Sequence, residues 1–161
     1  VSRALWTALA LVGAVLVETA LAHFVASPGR YLDPFLLVAV YCALNFGETH
    51  GMLAGAAAGW VQDVMFGGRV LGLSALAKLV VGFSVGLAAG RFLIATTAAR
   101  ALVVLLAVVA DALVVQWLAS VFSVDVRGLP PLALLARATL SALVGGLLYA
   151  LVDRQLARSR P

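Results

Sequence analysis

Apolar residues run through this chain in long blocks separated by short polar or Gly/Pro-rich breaks, and the blocks predict six helices. The first covers residues 4–26 and carries Glu18 and His23 within it. Its Ala20-Leu21-Ala22 triplet mimics a signal-peptidase site. The apolar region nevertheless exceeds the roughly 7–15 residues of a cleaved signal and contains Glu18, so a retained helix is expected. SPGRYLD then breaks the pattern, with Pro28 and Gly29 as punctuation. Residues 34–46 (PFLLVAVYCALNF) and 50–66 form two further segments, the first only about 20 Å long at the helical rise. Both fall short of a full crossing of about 30 Å of hydrocarbon. Longer spans follow at 71–92, 101–123 and 130–152, Pro130 suiting a first helical turn, and a basic tail occupies 153–161. The blocks do not alternate, which excludes a transmembrane barrel.

Composition turns these helices into membrane helices. Of 161 residues, 64% are hydrophobic and 11% charged, against about 25% charged in soluble domains; the mean hydropathy is +1.12. An all-α bundle of six transmembrane helices, with helices 2 and 3 short, is expected as one membrane domain over residues 1–161. Lipid is its solvent, and its backbone polar groups are satisfied within helices. A net charge of +4 would suggest nucleic acid in a soluble protein. Here the excess sits at helix ends with no basic cluster among aromatics, so no nucleic-acid partner is expected. Arg3, Arg91, Arg100, Arg154, Arg158 and Arg160 fall on one side of the six spans. Arg30, Arg69 and Arg127 fall on the other, two of them offset by Asp33 and Asp125. Positive charge faces the cytoplasm, which puts both termini there.

Ionisable residues inside the spans are the next feature. With that orientation, Glu18 lies roughly 12 Å below the outer end of the first helix, Lys78 and Arg137 about 10 Å deep, and Asp63 and His23 about 5 Å. Asp111 is nearest the midplane. Glu18, Asp63, Lys78 and Arg137 thus form an outer-half polar cluster, with Glu18 expected to pair with Lys78 or Arg137. A lone charge at that depth costs roughly 3 kcal/mol or much more. The cluster is therefore either a polar cavity that binds something or a set of buried pairs that fixes helix packing.

Two glycine runs, Gly51-Gly55-Gly59 and Gly82-Gly86-Gly90, give flat strips on which another backbone can approach. One strip can close helix 3 on helix 4 and the other can accept a partner's span; the alternative is that both serve internal packing. Between them lie Asp63, a carboxylate suited to hold a turn by accepting backbone N–H groups, and the turn glycines Gly67, Gly68 and Gly72.

Candidate chemistry adds little. His23 is five residues from Glu18 and His50 stands alone at a turn, so neither forms a metal pair and no metal or cofactor is expected. Ser74 lacks a nucleophile elbow, and there is neither HExxH nor GxxxxGK[ST]. The single Cys42 reads as a small buried hydrophobe. Catalysis is not expected.

The short segment at 34–44, the Gly51-Gly55-Gly59 run, Asp63, then Gly67-Gly68, Leu71-Gly72 and Ala75-Leu76, then Gly82 and Gly86, together resemble the rod-shape-determining protein MreD family. The resemblance covers the chain loosely and residues 34–90 most closely. It implies a non-enzymatic component of the bacterial inner membrane within the elongation machinery, working with MreC, MreB, RodA and a class B penicillin-binding protein in peptidoglycan synthesis and cell shape. It also implies a fold similar to the substrate-binding S component of energy-coupling-factor transporters. The alternative function follows from that fold: a membrane component that binds a vitamin-like molecule through Glu18, Asp63, Lys78 and Arg137.

Overall fold

The computed structural model describes residues 3–24, 32–66, 70–91, 96–123 and 130–158. Among these residues the chain is all-helical, with six helices: α1 Arg3–Phe24, α2 Pro34–Phe46, α3 Glu48–Met65, α4 Leu73–Arg91, α5 Thr97–Val121 and α6 Pro131–Arg158. Four of them, α1, α4, α5 and α6, are long and apolar enough to cross a membrane.

The short helix α2 is the centre of the molecule. It packs against all five others, and Phe35, Leu36, Ala39, Val40, Cys42 and Ala43 are all buried. A helix that is apolar all round is enclosed on every side. Here much of the enclosure is protein: Val81 and Val85 of α4, Val104 and Val108 of α5, and Ala138 and Tyr149 of α6 join α2 in one core. Enclosed in this way, α2 is not held to a length set by the hydrocarbon thickness, and 13 residues suffice.

Local chemistry fixes both ends of α2. Asp33 caps its start, Oδ1 accepting the N–H of Leu36 at 3.0 Å, with Pro34 in the first turn. At the other end Gly47 alone joins α2 to α3, with φ +88°, a conformation that side chains with a Cβ rarely adopt. Because this one residue reverses the chain, α3 starts at Glu48, ahead of the position 50 expected from the pattern. Similarly, Thr96 accepts the N–H of Ala99 and starts α5 at Thr97 rather than 101. At the far end, α6 runs on to Arg158 through residues expected to form the tail; Gln155, Leu156, Ala157 and Arg158 are all good helix formers.

The helices α3 and α4 meet backbone to backbone. A Cβ at Gly55 would fall on the carbonyl of Lys78, one at Gly82 on the carbonyl of Gly51, one at Gly59 on the Ser74–Ala75 backbone and one at Gly86 on the backbone of Glu48. Both glycine runs therefore face each other in a single interface, apart from Gly90, which faces open space. By contrast α1 is loosely held. Its buried side chains are Ala14 and Glu18, and among the described residues its backbone comes close to α2 and α3 but not to α6.

Backbone contacts of this kind cannot relax as side chains do. Gly55→Leu is expected to exceed the roughly 1–3 kcal/mol typical of core overpacking and to abolish monodisperse protein in detergent. Gly90→Ala should leave it unchanged or stabilise it by up to about 1 kcal/mol. Size-exclusion profiles and thermal unfolding of the two variants check this.

Candidate functional site

Five ionisable side chains from five helices or their caps converge in the half of the bundle where α2 begins. Asp33 is the hub. Its Oδ2 accepts from Lys78 Nζ of α4 at 2.8 Å and from Arg137 Nη2 of α6 at 2.7 Å, while Oδ1 caps α2. Asp111 of α5 flanks the same two bases, each of its oxygens 3.7 Å from one of them. That is beyond hydrogen-bond range but close for attraction between charges. The Asp33 side chain is fully enclosed and that of Lys78 is 2% exposed. Removing water from two such charges is costly. It is tolerated only where the partners are well aligned and their remaining atoms are satisfied, as those of Asp33 are.

Glu18 of α1 completes the group. It is buried, and it lies near enough to Asp33, Arg137 and Lys78 to feel their charge, but it forms no ion pair with them within 4 Å. The site thus holds three carboxyls and two bases. Several of its atoms are buried without a hydrogen-bond partner: Glu18 Oε2, Asp111 Oδ1, Arg137 Nε and, one turn further along α6, Ser141 Oγ.

The structure redraws the cluster expected from the sequence. Lys78 and Arg137 do come together, with Glu18 buried nearby, yet the two bases pair with Asp33 and Asp111 instead of Glu18. Asp33, counted as a loop charge offsetting an arginine, is inside the bundle because α2 starts below the surface. The signal that could have found it is Asp33-Pro34 ahead of an apolar run, the pattern of a helix cap.

Asp63 stands apart from these charges. At the end of α3 its Oδ2 accepts the N–H of Gly72 at 2.8 Å and of Ser74 at 3.1 Å, placing a negative charge at the start of α4, where the helix dipole favours it. Gly72 there has φ +98°. Gly67 and Gly68 lie outside the described residues. Of the glycine strips, Gly51, Gly55, Gly59, Gly82 and Gly86 close α3 on α4. Gly55 bears on the charge site as well, since it lets the backbone of Lys78 approach α3 while the side chain crosses to Asp33. Among the described residues no three His, Cys, Asp or Glu side chains come together to hold a metal ion.

What the helices and this cluster define is a multi-span membrane protein fastened from within, its ionic groups bracing α2 against α4, α5 and α6. Over residues 3–154 the chain matches the family model described as rod shape-determining protein MreD, and it belongs to that family. Membership gives it a role in determining rod shape and ties it to the cell-shape machinery in general. No curated protein and no solved structure matches the chain.

Removing one partner of a buried ion pair strands the other. Asp33→Ala is expected to destabilise the protein by about 3–5 kcal/mol, with Asp33→Ala/Lys78→Met losing less than the sum of the two single variants. Asp63→Ala, which orphans two N–H groups, should cost less, about 1–3 kcal/mol. Thermal unfolding of the four variants in one detergent measures the order.

Proposed function

We propose that the protein is a non-catalytic scaffold of the bacterial elongation complex in the inner membrane, with both termini in the cytoplasm. In this role it binds MreC and helps to organise peptidoglycan synthesis. RodA, a class B penicillin-binding protein and MreB connect to it directly or through MreC.

The observation that carries this reading is where the charges go. Lys78 and Arg137, the bases a polar ligand would need, are engaged by Asp33 and Asp111. The outward faces of the long helices are apolar, with Leu9, Leu16, Leu106, Leu113, Leu143 and Leu147 all exposed. Charge is spent on rigidity and apolar surface is offered outward, which suits a protein that holds other membrane segments in place. Family membership gives the process. The transporter alternative would use the same charges to grip a small molecule, and their mutual pairing argues against it.

Co-expression of the tagged chain with the neighbouring elongation proteins, followed by purification in mild detergent, tests the reading. Stoichiometric MreC is the expected result. A retained vitamin-like molecule without MreC would overturn it in favour of the transporter. In cells depleted of their own copy, Asp33→Ala is expected to fail to restore rod shape where the wild-type chain succeeds, scored by the length-to-width ratio.

A further inference from the structure

The charge cluster holds more hydrogen-bonding capacity than its own contacts use. Glu18 Oε2 and Asp111 Oδ1 are acceptors without donors, and Arg137 Nε is a donor without an acceptor. Ser141 Oγ, able to act as either, has no partner at all. None of these side chains opens freely to solvent: Glu18 and Asp111 are each 3% exposed and Ser141 is fully enclosed. A buried polar atom left unpaired costs about 1–3 kcal/mol, and more when it is charged. Four of them around one ionic network would offset much of what the pairing gains.

The free donors and acceptors do not answer one another directly. Arg137 and Ser141 are four residues apart on α6 and share a face. Glu18 stands on α1 and Asp111 on α5, helices whose backbones do not come close among the described residues. Asp111 lies 3.7 Å from Lys78 Nζ and 3.7 Å from Arg137 Nη2, a spacing at which water commonly mediates a polar contact. An occupant must therefore donate to two carboxyls and accept from a guanidinium and a hydroxyl. Water does both, and a buried water makes about three such bonds. A metal ion cannot accept from Arg137 Nε, and among the described residues no three His, Cys, Asp or Glu side chains gather to ligate one. A hydrocarbon tail satisfies none of the four atoms. Arg137 supplies the way in. Its side chain is 12% exposed, against 2% for Lys78, 0% for Asp33 and 4% for Asp111.

We infer that the cluster encloses ordered water, which joins Glu18 of α1 and Asp111 of α5 to Arg137 Nε and Ser141 Oγ of α6. The consequence falls on α1. Glu18 is one of its two buried side chains and makes no ion pair with the bases of the cluster, so at this level the helix is tied to the charged centre through water. Direct ion pairs brace α2, α4, α5 and α6, and the water extends that bracing to α1.

Synchrotron radiolysis of the full chain in lipid nanodiscs, read by tandem mass spectrometry of its peptides, tests this. Hydroxyl radicals made from bound water oxidise the side chains beside it even where bulk solvent is excluded. Val108 and Val104 of α5 form a matched pair, 1% and 0% exposed; Val108 is one turn from Asp111 and Val104 two turns. Oxidation of Val108 without oxidation of Val104 is expected. Ser141→Ala, which removes the hydroxyl, is expected to lose most of the Val108 label while keeping the size-exclusion profile of the wild type. Equal labelling of the two valines in the wild type would overturn the inference, and that comparison stands by itself should the variant fail to fold. An undiminished Val108 label in folded Ser141→Ala would overturn it as well. So would a small organic molecule released in stoichiometric amount when the purified chain is denatured, since that molecule and not water would then fill the site.

Discussion

One carboxylate, that of Asp33, joins three kinds of constraint. It caps the helix that begins beside it, neutralises a lysine from α4 and holds an arginine from α6. Each job would be modest at a surface, where water competes for every one of the groups involved. Enclosed, the same contacts become conditions for the fold, because loss of any member leaves charge without solvent. The position of α2 among the other five helices therefore follows from chemistry at its first turn as much as from its apolar sides.

The α3–α4 interface supplies the complementary condition. Lys78 reaches Asp33 because its backbone lies hard against Gly55, and that approach is possible because glycine leaves no side chain between the two helices. Small residues in membrane interfaces are usually credited with dispersion and close packing. Here they also set the origin of a lysine side chain, so packing and ionic bracing depend on one another. Asp63 steadies the same region from the other side by taking the first N–H groups of α4.

Much of the architecture was legible in the sequence, because long apolar runs in a chain with few charges leave few alternatives to membrane helices. The depth arithmetic brought Glu18, Lys78 and Arg137 to a common level, and the glycine spacing marked a close approach. What the sequence could not convey was neighbourhood. An apolar residue facing lipid and one facing protein look alike, so the PFLLVAVYCALNF segment gave no sign that it would be the enclosed centre. A glycine strip does not name its partner, and these two turned toward each other. Asp33 was hidden for a related reason: a charge beside a proline and a tyrosine reads as loop, and only the cap geometry draws it inward.

The long reach of these ion pairs has a consequence for how the molecule is made. Arg137 lies 104 residues beyond Asp33, and Lys78 lies on the fourth helix, so neither countercharge has emerged when α2 leaves the ribosome. The α2–α3 hairpin, turned by Gly47 alone, must wait at the edge of the bilayer or in the shelter of the insertion machinery with its acidic cap still hydrated. Delivery of α4 permits partial burial, and arrival of α6 completes it. Membrane insertion and folding are therefore not separable stages for this chain: its central helix is among the first to be made and among the last to be seated.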